Sequence, residues 1–527
     1  MRSRPSKASR RASDRVPGPR ARGRWRAHGR GPAGGRGPAR GRGLQPNVLG
    51  TFDTVVMAVA GSAPAYSLAA TTAVLVGAVG LAAPAALLYC AIPMLGIVLA
   101  FSRLGRIDVN AGASYSWVGR TLHPALGFLS GWALIVSATI FMVAGSLPAG
   151  QLTLELLAPG RAADTTTATA VGAGWFLLML LVVLGGARLT VRAQLLLTGV
   201  EFVILVLFIG GVVLHRGAAT AFDWSWLGLG HFDGPSGFAS GALIAAFSYW
   251  GWDVTSNLSE ETRDGRRTAG LAALAGVGVV FLLFEAFTIA VNVVLPAGEA
   301  AAGGANVLAL LGDAVWPGPG GKLMIVAVLL STVATLETTL IQVTRSLFAM
   351  GRDRTMPAAL GSVHRRWNTP WAAIAAVGAV ALAMFTAATA LGSVGDILGS
   401  AVNAMGLQIA FYYGLAGLAA VVAYRGTLLR SVRDFVLGGA WPLAGAAFML
   451  WVFFASLDGL SRASIAIGLG GLAAGVVPMA WYWRKGSPYY RPARLDAVRA
   501  MAAAGPYDAP PRERNRADGN ETLATDF

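Results

Sequence analysis

The sequence predicts an all-α integral membrane protein. Twelve transmembrane helices form an inverted 5+5 repeat with broken helices one and six, plus two extra C-terminal helices. Three observations carry this reading. The 527-residue chain has a mean hydropathy of +0.58 and only 13% charged residues, too few to cover a soluble protein of this size. Its apolar runs recur at about 20 residues, the length that crosses a ~30 Å hydrocarbon core. Two runs at corresponding positions of successive five-run blocks are interrupted near their middles by glycine or proline, the mark of repeats built on discontinuous helices.

The chain opens on a basic stretch, residues 1–47, with thirteen arginines, one lysine and one aspartate. It is rich in Gly and Pro and has no apolar period, so it is expected to be a disordered cytoplasmic tail. Anionic lipid headgroups are the alternative partner for so basic a segment, and upstream sequence outside the true start is a further reading. Nucleic acid is not expected. The membrane domain is expected over residues 48–485, with repeat one at 49–214, repeat two at 237–423 and the extra helices at 433–483; residues 486–527 read as a second cytoplasmic tail.

The spans run over 49–78, 82–101, 124–148, 169–187, 193–214, 237–262, 269–295, 322–345, 370–390, 397–423, 433–456 and 463–483, with a short helix expected at Val307–Val315 in the connection before the eighth. Loops on the side of the N-terminus carry sixteen arginines, Arg345 counted among them, against three arginines and one lysine opposite. This asymmetry puts that side, and with an even number of spans both termini, in the cytoplasm of a plasma-membrane protein.

The first broken span reads VVMAVAGSAPAYSLAATT and is interrupted at Gly61 and Pro64. Proline removes a backbone donor and clashes with the preceding turn. The sixth reads ALIAAFSYWGWDVTSNL and is interrupted around Gly251. An unwound turn frees N–H and C=O groups that hydrocarbon cannot solvate, so it must line a cavity and meet polar partners. The start of a half-helix offers N–H groups and partial positive charge, suited to a carboxylate; its end offers carbonyls, suited to an ammonium. Both together, walled by aromatic rings, suit a zwitterionic amino acid.

Intramembrane acids are costly when ionised and mark functional positions. Asp253 follows the second break, where it reads as a proton-coupling group, a partner for a substrate amine, or a cap for the inner half-helix. Glu201 lies nine residues past Arg192, about 13 Å along a helix and so near mid-membrane. Gln194, Thr198 and Glu201 share one helical face that is expected to point into the bundle. There the carboxylate would take a proton, bind a cation or pair with a buried base. On the eighth span Ser331, Thr335, Thr338 and Gln342 form a polar stripe, and Glu337 sits about 120° off it. Glu285 is a further intramembrane acid with no assigned role. Glu260 and Glu261 are expected near the cytoplasmic mouth, where Arg263, Arg266, Arg267 or Arg345 would form gate ion pairs with them or, the preferred reading, surface pairs of no consequence.

Four stretches in order, AVAGSAPAYS, NAGASYSWVGRTLHPALGFLSGW, FSYWGWDVTSNLSEETRDGRR and LLSTVATLETTLIQVTRSLFAMGRDRTMP, resemble the amino acid-polyamine-organocation transporters of the LeuT-type fold. The resemblance covers roughly residues 48–485. It implies a secondary transporter, and it implies that Gly61, Ser62, Ala63 and Pro64 offer backbone N–H groups to a substrate carboxylate, with the Ser62 hydroxyl as an extra donor. It places Phe247 over the substrate; Tyr249, Trp250 and Trp252 flank the unwound turn at Gly251 and line the site or pack in the core. Asp253 stands where many relatives carry an acid. Glu201 falls where some carry a lysine in place of sodium, with the charge reversed here. Ser331 and Thr335 match hydroxyls that help bind sodium in sodium-coupled relatives. The chain departs from the pattern at Gly265, usually proline, and at GSAP in the first break.

The expected activity is therefore transport of amino acids or related amines, coupled to a proton in preference to sodium. A same-fold transporter of a nucleobase or cation, and a non-transporting membrane sensor, are the alternatives. No cofactor and no metal are expected. The five histidines and the single Cys90 form no ligand cluster by spacing, and GRGPAGGRGPARGRG lacks the strand and helix of a nucleotide loop.

Overall fold

The computed structural model describes residues 43–214, 220–388, 394–458 and 460–490. The expectations for residues 1–42 and 491–527 lie outside them. Among the described residues there are helices and no strand, and nine stretches are long and apolar enough to cross a membrane. The longest, Thr51–Ile107, far exceeds the ~20 residues one crossing needs. It is three helices: α1 (Thr51–Ser62), α2 (Pro64–Val79) and α3 (Ala83–Ile107).

Then follow α4 (Ser114–Thr121), α5 (Pro124–Ala144), α6 (Ser146–Leu157), α7 (Thr165–Leu184) and α8 (Ala187–Leu214). The next group is α9 (Gly234–Ser248), α10 (Val254–Asn257), α11 (Gly265–Val294), α12 (Ala297–Ala302) and α13 (Val307–Val315). The chain ends with α14 (Gly320–Arg352), α15 (Trp371–Ala388), α16 (Val394–Tyr424), α17 (Val432–Phe435), a π turn at Val436–Ala440, α18 (Trp441–Ala455), α19 (Arg462–Ala474) and α20 (Val476–Arg484).

The expected helix at Val307–Val315 is α13. Several boundaries differ from the sequence reading: α3 runs to Ile107, six residues past 101, and α8 starts at Ala187, six before 193. The third span continues past residue 148 through α6, where Gln151 donates to Glu155 at 3.3 Å, four residues further along the same helix. The sixth span does not reach 262 as a half-helix: beyond the break only the four-residue α10 is helical, and turns follow it. The eighth runs seven residues past 345, so Arg345 belongs to α14 and not to a loop. Elsewhere local chemistry sets the ends. Asp164 caps α7 through the Thr167 N–H at 3.1 Å, and Pro124 opens α5, where a missing N–H is harmless. Gly265 stands at the first position of α11, the helical position that proline favours in other chains.

The helix α14 is the central post: every residue from Ser331 to Gly351 is buried. Around it α8 is turned polar side inward. Gln194, Thr198 and Glu201 are buried, as their shared face predicts, while Leu196, Val203 and Leu207 on the opposite face are exposed. This is the reverse of a soluble helix and suits a hydrocarbon surround.

Candidate functional site

The two interruptions meet. Ala63 between α1 and α2 is left-handed (φ 48°), and Gly251 between α9 and α10 has φ +98°. A side chain on Gly61 would collide with the Gly251 carbonyl, and one on Gly251 with the Gly61 carbonyl. Both positions therefore need glycine for the backbones to touch, and Gly251 needs it a second time for its φ.

At the first break the chain's own groups meet the freed donors. Gly61 and Ser62 lie in the last turn of α1, and Pro64 has no N–H. The Ala63 N–H donates to the Ala60 carbonyl at 3.2 Å. The next two donors go to side chains: Ala65 N–H to Glu201 Oε1 at 3.0 Å, and Tyr66 N–H to Ser331 Oγ at 3.2 Å. Thr335 Oγ1 donates to the Ala60 carbonyl at 2.8 Å. The Ser62 hydroxyl turns back to the Ala58 carbonyl at 3.3 Å. Glu201 is 1% exposed, and its Oε2 has no partner among the described residues.

At the second break Asp253 is fully buried and accepts three hydrogen bonds. Gln342 Nε2 donates to Oδ2 at 2.8 Å, the Tyr412 hydroxyl to Oδ2 at 3.0 Å and the Tyr413 hydroxyl to Oδ1 at 3.1 Å. It stands at the start of α10 but makes no capping bond there. Trp250 Nε1 donates to the Tyr412 hydroxyl at 2.8 Å, so indole, phenol and carboxylate form one chain. Phe141 lies edge-on to both Trp250 (5.8 Å) and Tyr66 (6.0 Å), which joins the two breaks by an aromatic wall. The Tyr66 hydroxyl is buried without a partner among the described residues.

The other expected residues point elsewhere. Phe247 is half-buried on α9, four residues before Gly251. The Tyr249 hydroxyl donates to the Leu87 carbonyl on α3 at 3.2 Å. Glu337 accepts from Gln194 at 2.7 Å, a separate buried contact. Both oxygens of Glu285 lack a partner among the described residues.

The expectation of surface pairs at Glu260 and Glu261 is overturned for Glu261. Arg345 binds it bidentately at 2.9 and 3.2 Å, with the side chains 0% and 1% exposed. Arg345 is among the expected partners; its burial within α14 is what differs. Glu260 pairs bidentately with Arg352 at 2.9 and 3.0 Å, a partner not expected for it. Arg266 instead donates to the Arg106 carbonyl at 2.9 Å.

Sequence reasoning missed Tyr66, Phe141 and Tyr413. A signal existed for two of them. Tyr66 follows the proline break by two residues, and the pair Tyr412–Tyr413 puts two hydroxyls in an apolar span where each needs a partner.

Membership follows from comparison with known proteins. Residues 49–469 match the amino acid permease family model, and the chain belongs to that family. It is a multi-pass membrane protein whose relatives are transporters. The low-affinity putrescine importer PlaP of Escherichia coli (strain K12) is 25% identical over 424 residues, 75% of this chain and 85% of its own length. The methylthioribose transporter of Bacillus subtilis is 27% identical over 50% of this chain and 58% of its own. The Homo sapiens Asc-type amino acid transporter 1 is 26% identical over 59% of this chain and 60% of its own.

Proposed function

We propose that this protein is a secondary active transporter of amino acids or related amines that works by alternating access in the plasma membrane. One observation carries the reading: two interrupted helices meet at Gly61 and Gly251, each with a buried carboxylate beside the break. A break at membrane depth is tolerated only where its freed backbone meets polar partners or lines a cavity, and paired broken helices mark a transport site. The chain is read as twelve spans, with α1–α2 and α9–α10 as the discontinuous members of an inverted 5+5 repeat and α17–α20 as the two added spans. Both termini are read as cytoplasmic from the arginine bias.

Alternating access needs a barrier on each side of the site that can open in turn. The Glu261–Arg345 and Glu260–Arg352 pairs close the arginine-rich side, and we read them as that side's barrier. Opening it requires both bidentate pairs to part.

The coupling ion is read as a proton carried on Asp253 or Glu201. Ser331 and Thr335, the alternative cation ligands, are tied to the first break through Tyr66 N–H and the Ala60 carbonyl, which supports a structural role for them. The test is uptake and exchange by Asp253→Asn and Glu201→Gln in proteoliposomes. An amide mimics the permanently protonated acid. The variant at the coupling residue is expected to lose gradient-driven accumulation while keeping substrate exchange. If both variants still concentrate substrate in response to a proton gradient, neither acid couples. A wild type that ignores the proton gradient and requires sodium overturns the coupling reading.

A further inference from the structure

The first break departs from what an amino acid site requires. We propose that Glu201 is the residue that sets specificity: its carboxylate fills the anion-accepting end of the first break, so the site takes a solute that bears an ammonium and no carboxylate. This inference rests on the transporter reading above and narrows its substrate class.

The argument is an account of donors. A helix start attracts an anion only through N–H groups that the protein leaves free. At the start of α2 none is free. Pro64 has no N–H, Ala63 donates to Ala60, Ala65 to Glu201, Tyr66 to Ser331, and Ser67 to the Ala63 carbonyl at 2.8 Å. The anion position is thus occupied, and its occupant is a side chain of the protein. A substrate carboxylate entering here would have to displace Glu201 from the Ala65 N–H and then sit beside it, and whenever Glu201 is ionised the two like charges repel in this buried setting. The second break offers a poorer one, because α10 is a single turn whose Val254, Thr255 and Ser256 N–H groups are taken by the Gly251, Trp252 and Asp253 carbonyls, and its capping residue, Asp253, is itself a carboxylate.

The same geometry favours a cation. The ends of α1 and α9 put the negative pole of each helix at the junction, where the Ala60, Ser62 and Tyr249 carbonyls also accept from Thr335, Ser67 and Trp252. Glu201 Oε2 is buried with no partner among the described residues, and so is the Tyr66 hydroxyl, which can donate or accept, so one carboxylate oxygen and one phenol remain unfilled near the first break. Tyr66, Phe141 and Trp250 pack edge to face on one another beside the breaks, and aromatic rings attract an ammonium. An unfilled carboxylate oxygen and aromatic rings are complementary to an amine, and the Tyr66 hydroxyl is the one group in this set that could donate to a carboxylate.

The experiment compares amines with their carboxylated parents on the full-length protein in proteoliposomes. The pairs are putrescine with ornithine, cadaverine with lysine, and tyramine with tyrosine. Thermal stabilisation reads binding, and radiolabelled uptake reads transport. Each amine is expected to act at a concentration about ten- to a hundredfold below that of its parent, the effect of one charged contact opposed or lost. In Glu201→Ala, which frees the Ala65 N–H, the ratio is expected to fall toward one. Equal or tighter binding of the amino acid parents overturns this inference and leaves the transporter reading standing. An unchanged ratio in a folded Glu201→Ala protein overturns the assignment to Glu201. Saturable uptake of a nucleobase or sugar with no response to any amine or amino acid overturns the reading beneath it as well.

Discussion

Replacing Glu261 with leucine removes the carboxylate from a pair that no water reaches. The Arg345 guanidinium then loses bonds of 2.9 and 3.2 Å and keeps only a 3.5 Å contact from Nη1 to the Thr344 hydroxyl. Breaking one side of a fully buried pair costs about 3–5 kcal/mol, because a charge is left without a partner. A surface pair would cost about 0–1 kcal/mol. Exposures of 0% and 1% select the larger figure. The double variant Glu261→Leu/Arg345→Met removes both charges and fills similar volume, so it is expected to regain most of the loss. The assay is unfolding in lipid nanodiscs followed by tryptophan fluorescence, for wild type, both single variants and the double. A Glu261→Leu protein as stable as wild type would refute the reasoning, as would a double variant no more stable than the worse single. Transport separates stability from gating. The double variant is expected to be stable but leaky, since its barrier lacks the pair that must part and re-form.

Two further outcomes follow from the same physics. Gly61→Val or Gly251→Val drives a branched side chain into the facing carbonyl, so either variant is expected to insert in the membrane yet lose substrate-induced thermal stabilisation; full uptake by Gly251→Val would show that the two breaks do not need this contact. Deleting residues 2–43 leaves Val48 and Leu49, whose N–H groups donate to the Glu261 carbonyl at 2.8 and 3.1 Å, so unchanged uptake kinetics are expected, and a large loss at equal membrane abundance would assign the tail a regulatory role.

The fold was legible where hydrophobic length and period speak alone. Both breaks could be placed because glycine and proline interrupt otherwise continuous apolar runs. The buried face of α8 could be read because Gln194, Thr198 and Glu201 recur at helical spacing. Less was legible where a partner far away in sequence decides. Arg345 looked like a loop arginine, since a charge usually ends a span, and only Glu261, 84 positions earlier, lets it stay inside one. The N–H groups of the first break looked available to a ligand for the same reason. Glu201 is 136 residues from Ala65, and no local pattern announces that its carboxylate takes that donor. Asp253 could be singled out as an acid beside a break, but its donors come from two other helices, α14 and α16.

The most direct test of the central claim is uptake of radiolabelled putrescine and a mixture of amino acids into proteoliposomes, with and without an imposed proton gradient. The account predicts saturable uptake that rises above the equilibrium level while the gradient lasts and collapses when a protonophore is added. Solute that merely equilibrates regardless of the gradient, or no saturable uptake of any amine or amino acid, would contradict it.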